Sequence, residues 1–334
     1  MSLSATPQLV SDLPPFNPPR GLRNPHVQSI LPTLWPWRLP VLWRSRRLRR
    51  ESQIKLFESA DGVRLQARCT VQGDHLPWVL IAHGWLGHAE SNYVLSLAAT
   101  LFDAGYNICR LNLRDHGNTE HLNQGLFHSC LLDEVIDVVR TIQQYYAIED
   151  LSLAGFSLGG NFVLRVAARA PLAHIQLRKV LAICPALNPH ASDAALASGL
   201  PMYRKYFLNK WKQVLKRKQQ LFPGRYQFDD MLASNSITEL TDVLVRNHAG
   251  FNGAHDYYDG YSLLGETLRT LVAPSYLLLA KDDPIVPVAD VSLLANNSNL
   301  HITVSEYGGH CGFMTGMTGQ RWADVWALHC LSDN

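Results

Sequence analysis

The sequence predicts an α/β fold: a mainly parallel, doubly wound sheet with helices on both faces and a helical cap inserted over the strand ends. Three observations carry this. Short continuous apolar runs alternate with helix-period stretches from residue 78 to 184 and again from 275 to 331, the spacing of βαβ units. The apolar run Leu151-Ser152-Leu153-Ala154 passes through Gly155-Phe156-Ser157-Leu158-Gly159-Gly160 into the helix-like run Asn161 to Ala168, a strand, tight turn and helix in that order. Between Pro185 and Ser275 the alternation pauses, with no clear buried strand and a basic helix-like stretch from Tyr203 to Gln220.

Size and composition suit this reading. At 334 residues, 47% apolar and 17% charged, the chain holds one large α/β domain with an insertion, or two ordinary domains. The expected organisation is a Pro/Arg-rich N-terminal arm over 1–50, a core over 51–185 and 275–334, and a mostly helical cap over 186–274. A net charge of +2 gives no general attraction to nucleic acid, yet the charge is uneven. Residues 38 to 50 carry six arginines and no acid, and residues 203 to 225 carry eight basic side chains and no acid. Six scattered cysteines without a CxxC pair are expected to be reduced thiols of a cytoplasmic protein. Met1 to Phe16 lacks the basic and apolar regions of a signal peptide, and no stretch reaches the roughly 18 apolar residues of a membrane span.

In chain order, the first forty residues hold nine of the eighteen prolines, which argues against a long helix or a central strand. The segment is expected to run extended over the main domain, pinned by Phe16, Ile30, Leu34, Trp35 and Trp37. From Leu39 to Arg50 tryptophan and leucine alternate with arginine. Such a stretch suits either peripheral contact with an anionic membrane or an arm that packs its tryptophans inward; Pro36 and Pro40 favour the packed arm. Ile54–Glu58 and Val63–Val71, flanking Ala60-Asp61-Gly62, read as an antiparallel hairpin. Trp78–Ala82 is a buried strand ending in His83-Gly84-Trp85-Leu86-Gly87. Helix Tyr93–Phe102 closes at Gly105, strand Tyr106–Leu113 and helix Leu131–Tyr146 follow, and Lys179–Cys184 is a strand stopped by Pro185. After the cap come strand Ser275–Ala280, strand Leu300–Val304 and helix Gln320–Leu331.

The turn at Ser157 has the form of a nucleophile elbow. A serine at such a tip is held in a strained backbone conformation, and small residues at Gly155 and Gly159 let strand and helix cross closely. A nucleophilic serine needs a histidine to take its proton and a carboxylate to orient that histidine. In a doubly wound sheet both lie beyond the ends of later strands, in the order serine, acid, histidine. Lys281-Asp282-Asp283-Pro284 follows strand Ser275–Ala280, and Tyr307-Gly308-Gly309-His310 follows strand Leu300–Val304. His310 is the candidate base; Asp282 and Asp283 both stand where the acid belongs. Two backbone donors should meet the developing oxyanion: the N–H of Leu158 and an N–H after strand Trp78–Ala82, from Trp85 or alternatively Leu86. Other chemistries find little support. His116 and His121 do not form HExxH, no Cys/His spacing suits zinc, and no GK[ST] follows the glycines. Cys311 beside His310 reads as a small buried residue rather than a reactive thiol.

On these residues the chain resembles the α/β-hydrolases, and within them the YheT-like hydrolase family, related to the ABHD-type lipases and the yeast ethanol acyltransferase/esterases. Arg23-Asn24-Pro25-His26-Val27-Gln28-Ser29-Ile30-Leu31-Pro32 is similar to that family's N-terminal signature. His83-Gly84-Trp85-Leu86-Gly87 with Asn92-Tyr93 is similar to its oxyanion loop, Phe127-His128-Ser129 to its YHS-type turn, and Tyr257-Tyr258 with Ser262 to the end of its cap. Ala280-Lys281-Asp282-Asp283-Pro284 and Gly309-His310 are similar to its acid and base loops. Two stretches depart: Arg114-Asp115-His116-Gly117 stands for an Arg-Gly-Cys-Gly type loop, and Phe127 for a tyrosine.

The resemblance implies an α/β-hydrolase fold, Asp283 as the acid, no cofactor and no metal. It also implies hydrolysis or transfer of acyl groups from esters, short-chain or lipid. The basic stretch from Tyr203 to Arg225 keeps an acyl-CoA thioesterase or an alcohol acyltransferase in view. A hydrolase-fold protein that only binds a ligand is the reading in which this set is idle.

Overall fold

The computed structural model describes residues 13–332. The residues before 13, which carry most of the stretch judged not to be a signal peptide, and residues 333 and 334 lie outside the described residues.

Residues 13–19, with four prolines, form no helix, but from Arg20 onward prolines start helices instead of holding the chain extended, which corrects that part of the expected arm. Asn24 is extended and its side chain accepts the N–H groups of His26 and Val27, capping α1 (Pro25–Ile30). Pro25 occupies the first turn, where an N–H has no helical partner anyway. Pro36 stands likewise in the first turn of α2 (Trp35–Arg44). Pro40, inside that helix, removes only the bond that its N–H would have made one turn back. α3 (Arg46–Glu51) follows. The segment is anchored by Phe16, Val41 and Leu48, each buried.

The antiparallel hairpin pairs β1 (Gln53–Glu58) with β2 (Arg64–Thr70). Then follow β3 (Trp78–Ala82), α4 (Asn92–Asp103), β4 (Asn107–Leu111), α5 (Leu132–Tyr145), β5 (Leu151–Phe156), α6 (Leu158–Arg169) and β6 (Val180–Ile183). Helices α7 (Pro189–Ser198), α8 (Pro201–Leu221), α9 (Asp229–Ala233), α10 (Ile237–His248) and α11 (Ala254–Asp259) come next, before β7 (Ser275–Ala280), β8 (Leu300–Ser305) and α12 (Trp322–Leu331). The strands form one eight-stranded sheet in the order β1-β2-β4-β3-β5-β6-β7-β8. Only the pairings of β2 are antiparallel.

Strands β3, β4, β5 and β6 are buried at every position, because helices cover both faces; their sequences are therefore mostly apolar rather than alternating, with Asn107 and Arg110 of β4 and Ser152 of β5 as buried polar exceptions. Side chains still alternate between layers. Leu80 and Leu153 pack with Val139 of α5 and Phe162 of α6, whereas Ile81 and Phe156 pack with Leu97 of α4 and Trp326 of α12. Helices α8, α10 and α11 pack around a smaller apolar cluster of their own, centred on Phe228 and Leu240. Among the described residues no helix is long and apolar enough to cross a membrane.

Candidate active site

Ser157 sits between β5 and α6 with φ 52° and ψ −118°, a region costly for any residue with a Cβ and one that persists only where the surroundings enforce it. Here they do. The Ser157 N–H donates to Ile183 O at 2.9 Å, and its carbonyl accepts from Asn161 N–H at 3.0 Å and Ala186 N–H at 3.3 Å. A Cβ on Gly155 would lie 2.2 Å from Gly159 O, and one on Gly159 would lie 2.4 Å from the carbonyls of both Ala82 and His83. Both glycines are thus required by backbone crossing backbone, with no flexible side chain to give way.

The loops after β7 and β8 converge on the serine. The Ser157 hydroxyl lies 2.9 Å from His310 Nε2, and His310 Nδ1 lies 2.8 Å and 3.1 Å from the two oxygens of Asp283. A carboxylate only accepts, so Nδ1 carries the proton and Nε2 is left to accept from Ser157. Burial penalises a charged His310, but the Asp283 carboxylate and the adjacent Cys311 together outweigh it and raise the imidazole pKa, so the imidazolium formed when Nε2 takes the Ser157 proton is favoured. Asp283 is itself fixed, its Oδ1 accepting from Ile285 and Val286 N–H at 2.8 and 2.9 Å. Asp282 does not reach the imidazole site; its Oδ1 accepts from Gly309 N–H at 2.9 Å, joining the acid loop to the histidine loop. Cys311 is buried, with Sγ 3.7 Å from Ile183 O.

Of the two candidate donors on the loop after β3, Leu86 is already committed. Its N–H donates to His116 Nε2 at 3.0 Å, while His116 Nδ1 donates to Arg114 O at 2.6 Å. Burial lowers the His116 pKa to about 4, so the ring stays neutral and keeps Nε2 as an acceptor. Trp85 N–H donates to no described residue. The rest of the loop is tied down: Gly84 N–H donates to the Tyr93 hydroxyl at 3.1 Å, and Ala89 N–H to Asn112 Oδ1 at 2.7 Å. His83 donates from Nδ1 to Gly84 O at 2.8 Å and accepts Leu113 N–H on Nε2 at 3.1 Å. It is a structural histidine.

Three positions contribute without having been read as site residues. Ser29 of α1 accepts the His310 N–H at 2.8 Å and donates to Pro25 O at 2.7 Å. Gln28, fully buried, donates to Leu22 O at 2.7 Å and accepts Met314 N–H at 2.7 Å. The Gly309 and Gly312 backbones press so closely on α1 that a Cβ there would lie 2.5 Å from Pro25 O or 2.3 Å from Gln28 O. The N-terminal helix is therefore a strap behind the histidine loop; Asn24-Pro25 announced a helix start, but nothing local named its partner. His116 is the third, and its role depends on a contact thirty residues away in the chain.

Ser157 opens into a cavity of about 620 Å³, the size of a site for a small organic ligand. Its wall is mostly apolar and comes from α1 and α2, the loop after β3, and helices α7, α8, α10 and α11; Trp85 stacks on Phe207 at 5.5 Å between ring centres. Lys210 also borders it, 3.3 Å from Leu86 O. The basic run of α8 is not uniformly solvated: Lys218 is fully buried and pairs with Asp115 Oδ1 at 2.6 Å. Among the described residues, two groups could hold a metal ion by ligand spacing: Cys184, His310 and Cys311 within the site, and His190, His255 and Asp259 on the surface.

A parallel sheet sandwiched by helices, with a strained serine after the fifth strand and a histidine and a carboxylate beyond later ones, defines an α/β-hydrolase. The chain belongs to the Hydrolase_4 family, described as serine aminopeptidase S33, whose model matches residues 73–310. It is similar to YheT of Escherichia coli (strain K12), an esterase by name only, at 23% identity over 320 residues, covering 92% of this chain and 90% of the relative. It is also similar to human phospholipase ABHD3, at 21% identity over 349 residues, covering 95% and 81%. The YheT-like resemblance is thereby supported across nearly the whole chain. Among solved structures, a bacterial membrane phospholipase A superposes with a TM-score of 0.56 at 16% identity, over 88% of this chain and 91% of that one. The Pyrococcus furiosus esterase Pf2001 does so with a TM-score of 0.50 at 15% identity, over 83% and 86%; both likenesses concern the fold.

Proposed function

We propose that this chain is a carboxylic ester hydrolase working through an acyl-enzyme on Ser157, with His310 as general base and then acid, and Asp283 as its orienting carboxylate. The observation that carries the proposal is the continuous hydrogen-bond path from Ser157 Oγ through His310 to Asp283 at the head of an apolar cavity. Ser157 Oγ attacks the acyl carbonyl carbon as its proton passes to His310 Nε2; the oxyanion is met by the N–H groups of Leu158 and Trp85. His310 then gives that proton to the departing alkoxide; water, deprotonated by the same nitrogen, attacks the acyl carbon, and His310 returns the proton to Ser157 Oγ as the C–Oγ bond breaks and the acid leaves. The cavity's apolar wall fits the acyl chain of a lipid ester, and relatives named phospholipase and monoacylglycerol lipase support that class.

Ser157→Ala is expected to abolish turnover of a p-nitrophenyl ester while the thermal transition is retained; surviving turnover overturns the assignment. Failure of the folded wild type to react with a fluorophosphonate would instead favour a ligand-binding role. A matched p-nitroanilide, expected to turn over far more slowly, separates ester from peptide chemistry. The second reading, thioester hydrolysis or acyl transfer with acyl-CoA, draws on Lys210 at the cavity wall. Turnover of an acyl-CoA above that of the matched simple ester, and suppressed by salt, would favour it.

A further inference from the structure

Helix α2 carries Trp35, Leu39 and Trp43 at successive four-residue steps, one stripe along a helix, and their exposures are 67%, 48% and 66%. Large aromatic residues rarely stand so bare in a row on a soluble surface unless something covers them. The stripe is edged with positive charge: Arg46 lies over the Trp43 ring at 4.2 Å, and Arg46, Arg47, Arg49 and Arg50 are all exposed. Their acidic partners are few, Glu51 serving both Arg47 and Arg50, and Glu90 meeting Arg49.

The stripe runs into the mouth of the Ser157 cavity. Leu34, directly before α2, is 47% exposed and also lines the cavity, as do Met202 at 52% and Tyr206 at 46% from the start of α8. His26 of α1 and Tyr203 of α8 hold these two walls together, ring nitrogen to hydroxyl at 3.0 Å. The mouth is therefore rimmed by exposed apolar side chains continuous with a tryptophan stripe and an arginine band. Tryptophan prefers the headgroup level of a bilayer, with an apolar body and a polar N–H, and arginines beside it complement anionic phosphates.

We propose that α2, with Leu34, Met202 and Tyr206, is the face by which this protein rests on an anionic phospholipid bilayer, with the cavity mouth turned to the lipid. The packed-arm expectation is thereby reversed for Trp35 and Trp43. This rests on the ester-hydrolase reading only for its purpose; docking itself is independent of Ser157. The occupant is a bilayer rather than another protein because exposed arginines border the stripe at its Trp43 end and the apolar rim surrounds a ligand cavity instead of a closed contact patch.

The test is sedimentation of the full chain with vesicles of phosphatidylcholine alone and of phosphatidylcholine mixed with phosphatidylglycerol. Binding is expected to the mixed vesicles, to weaken with salt, and to be unchanged in Ser157→Ala. Trp35→Ser with Trp43→Ser is expected to abolish it, and Arg46→Gln with Arg50→Gln to weaken it by about five-fold per arginine. Both double variants should retain soluble-ester turnover and the wild-type melting temperature. Binding that survives Trp35→Ser/Trp43→Ser, or no binding by the wild type, overturns the proposal. So does a wild-type dimer that this variant converts to monomer, which would give the stripe to a second copy. Loss of soluble-ester turnover by the wild type would fail the hydrolase reading and leave vesicle binding as the measure of docking.

Discussion

Replacing Ser29 by alanine isolates the strap behind the histidine. The substitution removes the oxygen that accepts His310 N–H at 2.8 Å and donates to Pro25 O at 2.7 Å, and touches neither Ser157 nor Asp283. A hydrogen bond in a partly buried setting contributes about 0.5–1.5 kcal/mol net. If the loss falls entirely on the transition state, each ~1.36 kcal/mol is a factor of ten, giving roughly a two- to thirteenfold drop in kcat. The ceiling is set by packing. Ser29 Oγ would lie 2.7 Å from a Cβ on Gly309, so the loop rests on that oxygen, and a shift of about 1 Å in a reacting group costs about a hundredfold. The assay is steady-state turnover of a p-nitrophenyl ester, with KM expected to stay near wild type because the change removes one small polar atom from a cavity wall that is otherwise mostly apolar. A merely structural role would lower the melting temperature and leave kcat alone. That result, kcat unchanged with Ser29→Ala destabilised, refutes the strap as a positioning device.

Three further substitutions have definite expected outcomes. Gly159→Ala places a Cβ 2.4 Å from two backbone carbonyls; it is expected to cost about 1–3 kcal/mol of stability and about a hundredfold or more in kcat. Gly224→Ala, where nothing lies within 4 Å, should match wild type in both denaturation and turnover. Lys218→Met leaves Asp115 buried without its cation, a loss of about 3–5 kcal/mol by urea denaturation at pH 8. Burial already pushes Asp115 up to about 6 despite Lys218. A raised carboxyl contributes stability that is full below its ordinary 3.8 and lost as pH rises through about 6. The defect of Lys218→Met should therefore shrink at pH 5, and Asp115→Asn combined with Lys218→Met should recover most of it at pH 8.

What could be read from the sequence was whatever local pattern dictates. The central strands are buried on both faces, so β3 and β7 end where their apolar runs end. The elbow is legible because its glycines are forced by a crossing that any strand–turn–helix of this kind must make. Asp282 and Asp283 were not separable by spacing, since both follow β7; only the positions of Gly309 and His310 in space decide which oxygen meets which nitrogen. The helices of the N-terminal segment are hard to see in sequence because proline at a helix start and proline in extended chain leave the same mark; the Asn24 cap is the distinguishing signal. Lys218 sits in a basic run whose sequence does not mark one lysine as buried, and its partner Asp115 lies 103 positions away. His116 and Ser29 act by the same kind of distant contact.

The same stretch of chain supports the imidazole and edges the cavity. Ser29 holds His310, Ile30 and Pro32 face the cavity, Pro32 O accepts from Asn92 at the start of α4, and Leu34 leads into the exposed stripe of α2. A segment that is too short to flex between these points transmits position from one to the next. A surface beneath α2 therefore has one orientation relative to Ser157, set by the five residues of backbone between Ser29 and Trp35, and an ester arriving from that surface would meet Leu34, Met202 and Tyr206 before Ser157. On the proposed function and the proposed bilayer face, selection among esters would begin at the apolar rim, and Ser157 would act on whatever acyl chain the rim had drawn from water.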